Sequence, residues 1–191
     1  MYKRKSRWRR ILTILISVIL LLSIIGLIGR KIYVHYAYPM EYSSTIQKYA
    51  EEYGVSDDLV RAVIDVESGY KTDAVSDAGA IGLMQMTRDA FNWINEYQIK
   101  DSTTFDELYD ADTSIRYGTC LLAVLLDHYD GNVTNAIAAY HAGMGSVDSW
   151  LELTKNSSDG ENLDSIPRSD TEYYVAKVTK AMTMYQKLTQ K

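Results

Sequence analysis

From Ile11 to Gly29 the chain reads ILTILISVILLLSIIGLIG, nineteen residues without a charge and with only Thr13, Ser17 and Ser23 as hydroxyl-bearing side chains. As a helix this run is about 28 Å long, close to the hydrocarbon thickness of a bilayer, so a single transmembrane helix is expected. Lys3, Arg4, Lys5, Arg7, Arg9 and Arg10 precede it. A basic cluster of that kind stays in the cytoplasm, which places the remainder of the chain across the membrane. A cleaved signal peptide competes with this reading. The run is long for a signal core, however, and it ends in Arg30-Lys31 rather than a small-residue cleavage site. An uncleaved anchor is therefore expected. Residues 1–10 read as a cytoplasmic basic segment, 11–29 as the span, 30–40 as a Tyr-rich stalk and 41–191 as one exported domain.

Charge divides the chain at the same place. Eight of the 20 basic residues lie before residue 32 and none of the 25 acidic ones does, leaving 12 against 25 and a formal charge of −13 on residues 32–191. A body so acidic repels phosphate backbones, which excludes nucleic acid as a partner. The single cysteine, Cys120, sits in the apolar run Cys120-Leu121-Leu122-Ala123-Val124 and reads as a small buried hydrophobe.

Apolar residues beyond residue 40 follow helical spacing, and only two prolines interrupt the chain. The spacing predicts a helix over 41–53 stopped by Gly54, then one capped by Ser56 or Asp57 that carries Leu59, Val60, Val63, Ile64 and Glu67. A turn-rich stretch with Gly69, Gly79 and Gly82 follows. Thr87 is positioned to cap a helix through Glu96, and Thr104 with Glu107 has capping-box spacing. Further helices are expected over 114–128, 133–141, 146–153 and 170–188, with a polar loop over 154–165. The fold class is all-α: a compact helical domain preceded by one membrane-spanning helix.

Glu67 follows apolar Val63, Ile64 and Val66 and lies where its helix must end, since Gly69 turns the chain. A carboxylate there faces the negative end of the helix dipole and is partly desolvated. Both effects raise its pKa, as a general acid working near neutrality requires.

Four blocks extend the pattern: Val66-Glu67-Ser68-Gly69-Tyr70; Ala80-Ile81-Gly82-Leu83-Met84-Gln85-Met86; Ala138-Ala139-Tyr140-His141-Ala142-Gly143; and Ile166-Pro167 followed by Thr171-Glu172-Tyr173-Tyr174-Val175. In this order they resemble the catalytic domain of the soluble lytic transglycosylases, over most of residues 45–185. The resemblance implies a lysozyme-like fold and cleavage of the MurNAc–GlcNAc bond of peptidoglycan glycan strands. It implies Glu67 as the catalytic acid. The implied substrate-binding residues are Ser68, Gly82, Leu83, Met84, Gln85, Tyr140, His141 and Tyr174, with Gln85 reaching the sugar, Met84 lining the cleft and the Tyr174 hydroxyl near the acid. The family usually has asparagine where this chain has His141; either side chain can donate one hydrogen bond and accept another.

The resemblance also accounts for a missing second carboxylate, because Asp65, Asp73 and Asp77 match nothing catalytic. In a lytic transglycosylase the C6 hydroxyl of muramic acid attacks its own anomeric carbon and closes a 1,6-anhydro ring, so the nucleophile arrives with the substrate. Two alternatives stay open: a lysozyme-type muramidase in which water attacks, and a wall-binding protein without activity. Either way the domain faces the wall, on the periplasmic or extracellular side of the cell membrane. No cofactor is called for, and no metal site is expected. His35, His128 and His141 are scattered, and the Asp110-Ala-Asp112-Thr-Ser114 stretch has Ile115 where a calcium loop needs glycine. Among the 16 tyrosines, Tyr70, Tyr140 and Tyr174 suit sugar binding by their aromatic faces.

Overall fold

The computed structural model describes residues 2–190, the side chains of residues 2–7 excepted, so the expected basic segment over residues 1–10 lies in part outside the described residues. The chain forms two units, divided between Pro39 and Met40.

The first unit is one helix, α1 (Tyr2–Ala37), 36 residues long. Its stretch Trp8–Ala37 is long and apolar enough to cross a membrane, and Ile11, Leu20 and Ile28 lie on its open surface. The helix does not stop at Gly29. Gly26 and Gly29 weaken it by only about 1 kcal/mol each and keep their backbone donors, so residues 30–37 of the expected stalk over 30–40 are helical. Pro39 ends it, because a proline disfavours helical geometry in the residue before it.

The second unit is all-helical apart from turns. Helix α2 (Ser43–Tyr53) stops at Gly54, which takes the left-handed conformation (φ 69°). Helix α3 (Asp57–Ser68) is the buried centre: Leu59, Val60, Ala62, Val63 and Ile64 are essentially without exposure. It packs along α8 (Ser169–Thr189), whose Val178, Ala181 and Tyr185 are likewise buried. Tyr70 follows α3 with its hydroxyl enclosed beside Tyr185 and Arg61 and pushed up to about 12 by burial. It is 6% exposed, which corrects its expected place among sugar-facing tyrosines: the left-handed turn at Gly69 and Tyr70 swings the ring inward.

Thr87 caps α4 (Arg88–Ile94) by accepting from the Ala90 amide, and a π-helical turn (Asn95–Ile99) carries the chain past the expected end at Glu96. Thr104 and Glu107 form their capping box on a 3-10 turn (Phe105–Tyr109). Helix α5 (Ala111–His128) begins three residues earlier than the apolar pattern indicates, because Asp110 accepts from the Thr113 amide and nucleates the first turn. Helices α6 (Val133–Ala142) and α7 (Met144–Leu151) abut at Gly143. Cys120 lies in a cluster with Met86, Phe91, Ile94 and Tyr117, and burial raises its thiol to about 11. No strand occurs among the described residues; the turn region contains only the isolated bridges Val75–Ile81 and Ile81–Met86.

Candidate active site

The site is assembled where the end of α3 meets the turn over 80–86, the end of α6 and the first half of α8. Glu67 is the penultimate residue of α3, and Gly69 (φ 57°) ends the helix immediately after it. The side chain is half-buried. Burial pushes its carboxyl up from 4.5 to about 7, against the opposing pull of a hydrogen bond from Tyr174 and of the Lys177 charge. At neutral pH the group is thus shared between its acid and its base form.

Tyr174, in the second turn of α8, donates from its hydroxyl to Glu67 Oε1 at 2.6 Å, closing a contact between residues 107 apart in sequence. His141 stacks on the Tyr174 ring, with centroids 4.6 Å apart and planes 27° from parallel. Its Nδ1 lies 3.1 Å from Thr171 Oγ1. Burial lowers the imidazole pKa, although Asp170 pulls the other way, so the ring favours its neutral form.

The turn is shaped by two residues with left-handed backbones, Gly82 (φ 80°) and Gln85 (φ 47°). Gly82 is irreplaceable on steric grounds: a Cβ there would stand 2.1 Å from the Leu108 carbonyl oxygen. Backbone bonds between Ile81 and Met86 close the turn, and the Met84 amide donates to Ser114 Oγ. Tyr140 donates to the Met84 carbonyl at 2.7 Å, and burial, with a smaller contribution from Glu67, raises its hydroxyl pKa. Ser68 donates to the Leu83 carbonyl at 2.8 Å and also lies within reach of Ile64 O. The hydroxyl beside the acid therefore ties α3 to the turn.

Glu67, Ser68, Gly82, Gln85, Tyr140, His141 and Tyr174 are all brought together here. Leu83 and Met84 contribute differently from expectation. Both side chains have no exposure, and Met84 packs so tightly on α5 that a Cβ at Gly118 would meet its sulfur at 2.4 Å. What these two residues present to the site is backbone: their carbonyls receive Ser68 and Tyr140. The expectation that the Met84 side chain lines the cleft is corrected accordingly. Gln85 likewise uses its amide nitrogen internally, donating to Ala74 O and Gly82 O at 3.0 Å each.

Two residues near the acid were not singled out from the sequence. Lys177, one turn beyond Tyr174 on α8, acts on both Glu67 and Asp65. Thr171 is fully buried and holds His141. Their i, i+3 spacing from Tyr174 was the available signal. Among the described residues no group of three acidic, histidine or cysteine side chains is arranged to hold a metal ion.

The profile of the transglycosylase SLT domain matches residues 44–163. The membrane-bound lytic murein transglycosylase C of Serratia proteamaculans (strain 568) is 28% identical over 171 residues, covering 77% of this chain and 47% of the relative. The soluble lytic murein transglycosylase of Salmonella typhimurium (strain LT2) is 30% identical over 161 residues, 82% of this chain and 25% of the relative. Among solved structures, the 70 kDa soluble lytic transglycosylase of Escherichia coli superimposes with a TM-score of 0.73 at 27% identity, over 88% of this chain and 28% of that one. The chain thus spans half or less of the length of these proteins, and it shares with the solved one a lysozyme-like helical fold.

Proposed function

Because the chain belongs to the transglycosylase SLT domain family, we propose that it is a membrane-anchored lytic transglycosylase that cleaves the MurNAc–GlcNAc bond of peptidoglycan and leaves 1,6-anhydromuramoyl ends. The observation that carries the reading is the half-buried Glu67 with its carboxyl raised to about 7 and a tyrosine hydroxyl on one oxygen. In its protonated form Glu67 gives its proton to the glycosidic oxygen as the C1–O bond breaks. The resulting carboxylate then takes the proton of the C6 hydroxyl as that oxygen closes on C1, and the acid is regenerated. One group serves both steps because its pKa lies near the working pH. The bond from Tyr174 steadies the carboxylate in the interval between them.

Tyr140, Gln85 and the neutral His141, which packs on the Tyr174 ring, are assigned to holding the sugar. The neutral imidazole offers one donor and one acceptor, as an asparagine in that position would. The membrane reading rests on α1, long and apolar enough to span a bilayer, and on the membrane-bound name of the Serratia relative. The basic residues ahead of the apolar run favour an N-terminus in the cytoplasm and a catalytic domain on the wall side.

The test is digestion of purified sacculi followed by mass spectrometry of the fragments. Products one water lighter than muramidase products are expected, and Glu67→Gln should lower the rate by at least about a hundredfold. Fragments carrying the additional water would establish hydrolysis instead. Parental activity in the Glu67→Gln protein would remove Glu67 from the mechanism.

A further inference from the structure

His141 at the end of α6 meets Thr171 in the first turn of α8. The imidazole stacks on the Tyr174 ring, whose hydroxyl holds Glu67, so it stands one ring away from the acid. Its Nδ1 is 3.1 Å from Thr171 Oγ1, while Nε2 has no hydrogen-bond partner among the described residues and His141 is exposed. One nitrogen is committed to the protein and the other is open to a ligand. A neutral imidazole has its donor at one nitrogen and its acceptor at the other, and the arrangement of the two decides what the open nitrogen can recognise.

Thr171 makes that decision. The residue has no exposure, and among the described residues its hydroxyl has a single hydrogen-bond partner, Nδ1 of His141. Other helical hydroxyls in the chain, those of Ser68, Ser146, Ser149 and Thr183, reach the carbonyl four residues back. Thr171 has no such outlet. It is the third residue of α8, so the carbonyl four positions earlier belongs to Pro167, ahead of the helix. A buried hydroxyl proton without an acceptor is costly. The Oγ1 proton therefore goes to Nδ1, and the proton of the ring itself sits on Nε2. The opposite tautomer would aim the Nδ1 proton at Thr171 and strand the hydroxyl proton in the core.

We infer that Thr171 is a positioning residue: its hydroxyl occupies the acceptor nitrogen of His141, fixes the ring as the Nε2–H tautomer, and makes His141 a donor and not an acceptor toward the substrate. An asparagine would offer an oxygen and an amide nitrogen alike; this pair presents a lone donor. It suits an acceptor oxygen such as an acetamido carbonyl, and it turns away a group that can only donate, such as the ammonium of a de-N-acetylated amino sugar. The inference rests on the proposed glycan-cleaving function for what Nε2–H meets, whereas the tautomer follows from the packing of the protein alone. Thr171 touches no reacting atom and acts through the ring it orients.

The test reads the ring before any substrate is added. The full chain in detergent, isotope-labelled at its histidine nitrogens, is followed by long-range proton–nitrogen correlation NMR near pH 8, where the lowered pKa leaves His141 neutral. Its resonances are identified by their loss in His141→Asn. The parent is expected to show the Nε2–H pattern. Thr171→Val keeps the shape without the hydroxyl and should blend in the Nδ1–H form; Thr171→Ser should bring the parental pattern back. With soluble N-acetylated glycan strands, Thr171→Val should raise KM about two- to fivefold and leave kcat within about twofold, because only rings in the right tautomer bind. In a His141→Leu background the same change should add nothing further to KM. A parental ring protonated on Nδ1 overturns the inference by itself, whether or not Thr171→Val folds. So does a Thr171→Val ring identical to the parental one, or a further rise in KM in the His141→Leu background. The ring is read without substrate, so the tautomer can fail while sacculi are still cut; failure of the glycan-cleaving function shows instead as sacculi that release no fragments.

Discussion

Replacing Glu67 by glutamine should make the protein more stable, and only above a definite pH. The free carboxyl ionises near 4.5 and the folded one near 7. Between those values the folded protein keeps a proton that the unfolded chain releases. Stability therefore falls as pH rises through this window, and the full loss is reached once the folded group has ionised. A displacement of that size corresponds to an upper bound of about 3.4 kcal/mol. Because the side chain is half-buried, solvent screening reduces this to about 1–3 kcal/mol. Glutamine keeps the shape and the acceptor for Tyr174 but carries no charge. The melting temperature of Glu67→Gln should exceed that of the parent by about 2–10 °C near pH 8 for a domain of this size. The two proteins should melt together near pH 4, where the unfolded chain too is largely protonated. Thermal unfolding followed by circular dichroism at several pH values measures the difference, in which contributions of the other carboxylates cancel. A difference independent of pH, or a less stable glutamine variant near pH 8, would refute the claim that burial holds this proton.

Three further outcomes follow from the same geometry. Tyr174→Phe removes a donor that favours the carboxylate, so the alkaline limb of kcat/KM should move up by about one to two pH units while kcat falls about 10- to 150-fold, read from pH–rate profiles. Lys177→Met should move the same limb upward by a few tenths of a unit at most, because its exposed charge lowers the Glu67 pKa through solvent, and added salt should abolish the difference between the two proteins. Gly82→Ala should cost about 2 kcal/mol or more in a urea titration, since its Cβ meets the Leu108 carbonyl and the backbone is left-handed.

Much of the helical order was legible because punctuation and periodicity agreed. Gly54, Gly69, Thr87 and the Thr104–Glu107 pair each sit where an element starts or stops. The misplaced boundary at α5 arose because Asp110 begins the helix before its apolar stripe does, and periodicity sees only the stripe. Within the site, Glu67 and the order of the blocks were visible along the chain. The division of labour inside the block over 82–85 was not. The side chains of Leu83 and Met84 face the core because Gly82 and Gln85 reverse the chain, leaving two carbonyls toward Ser68 and Tyr140. Backbone direction in a tight turn is not written in residue types. Lys177 and Thr171 were missed for a related reason: each matters through what lies across α8 from it, which only the packing of α8 on α3 and α6 reveals.

The bond from Tyr174 to Glu67 bears on how the site comes to be assembled. A folded body in which α8 is detached carries the acid and the turn, yet it leaves Glu67 without its hydroxyl partner and strips one wall from the site. Under the proposed function, the acid is thus steadied only after α8 has docked along α3, so the order in which these two helices meet sets when the site is complete.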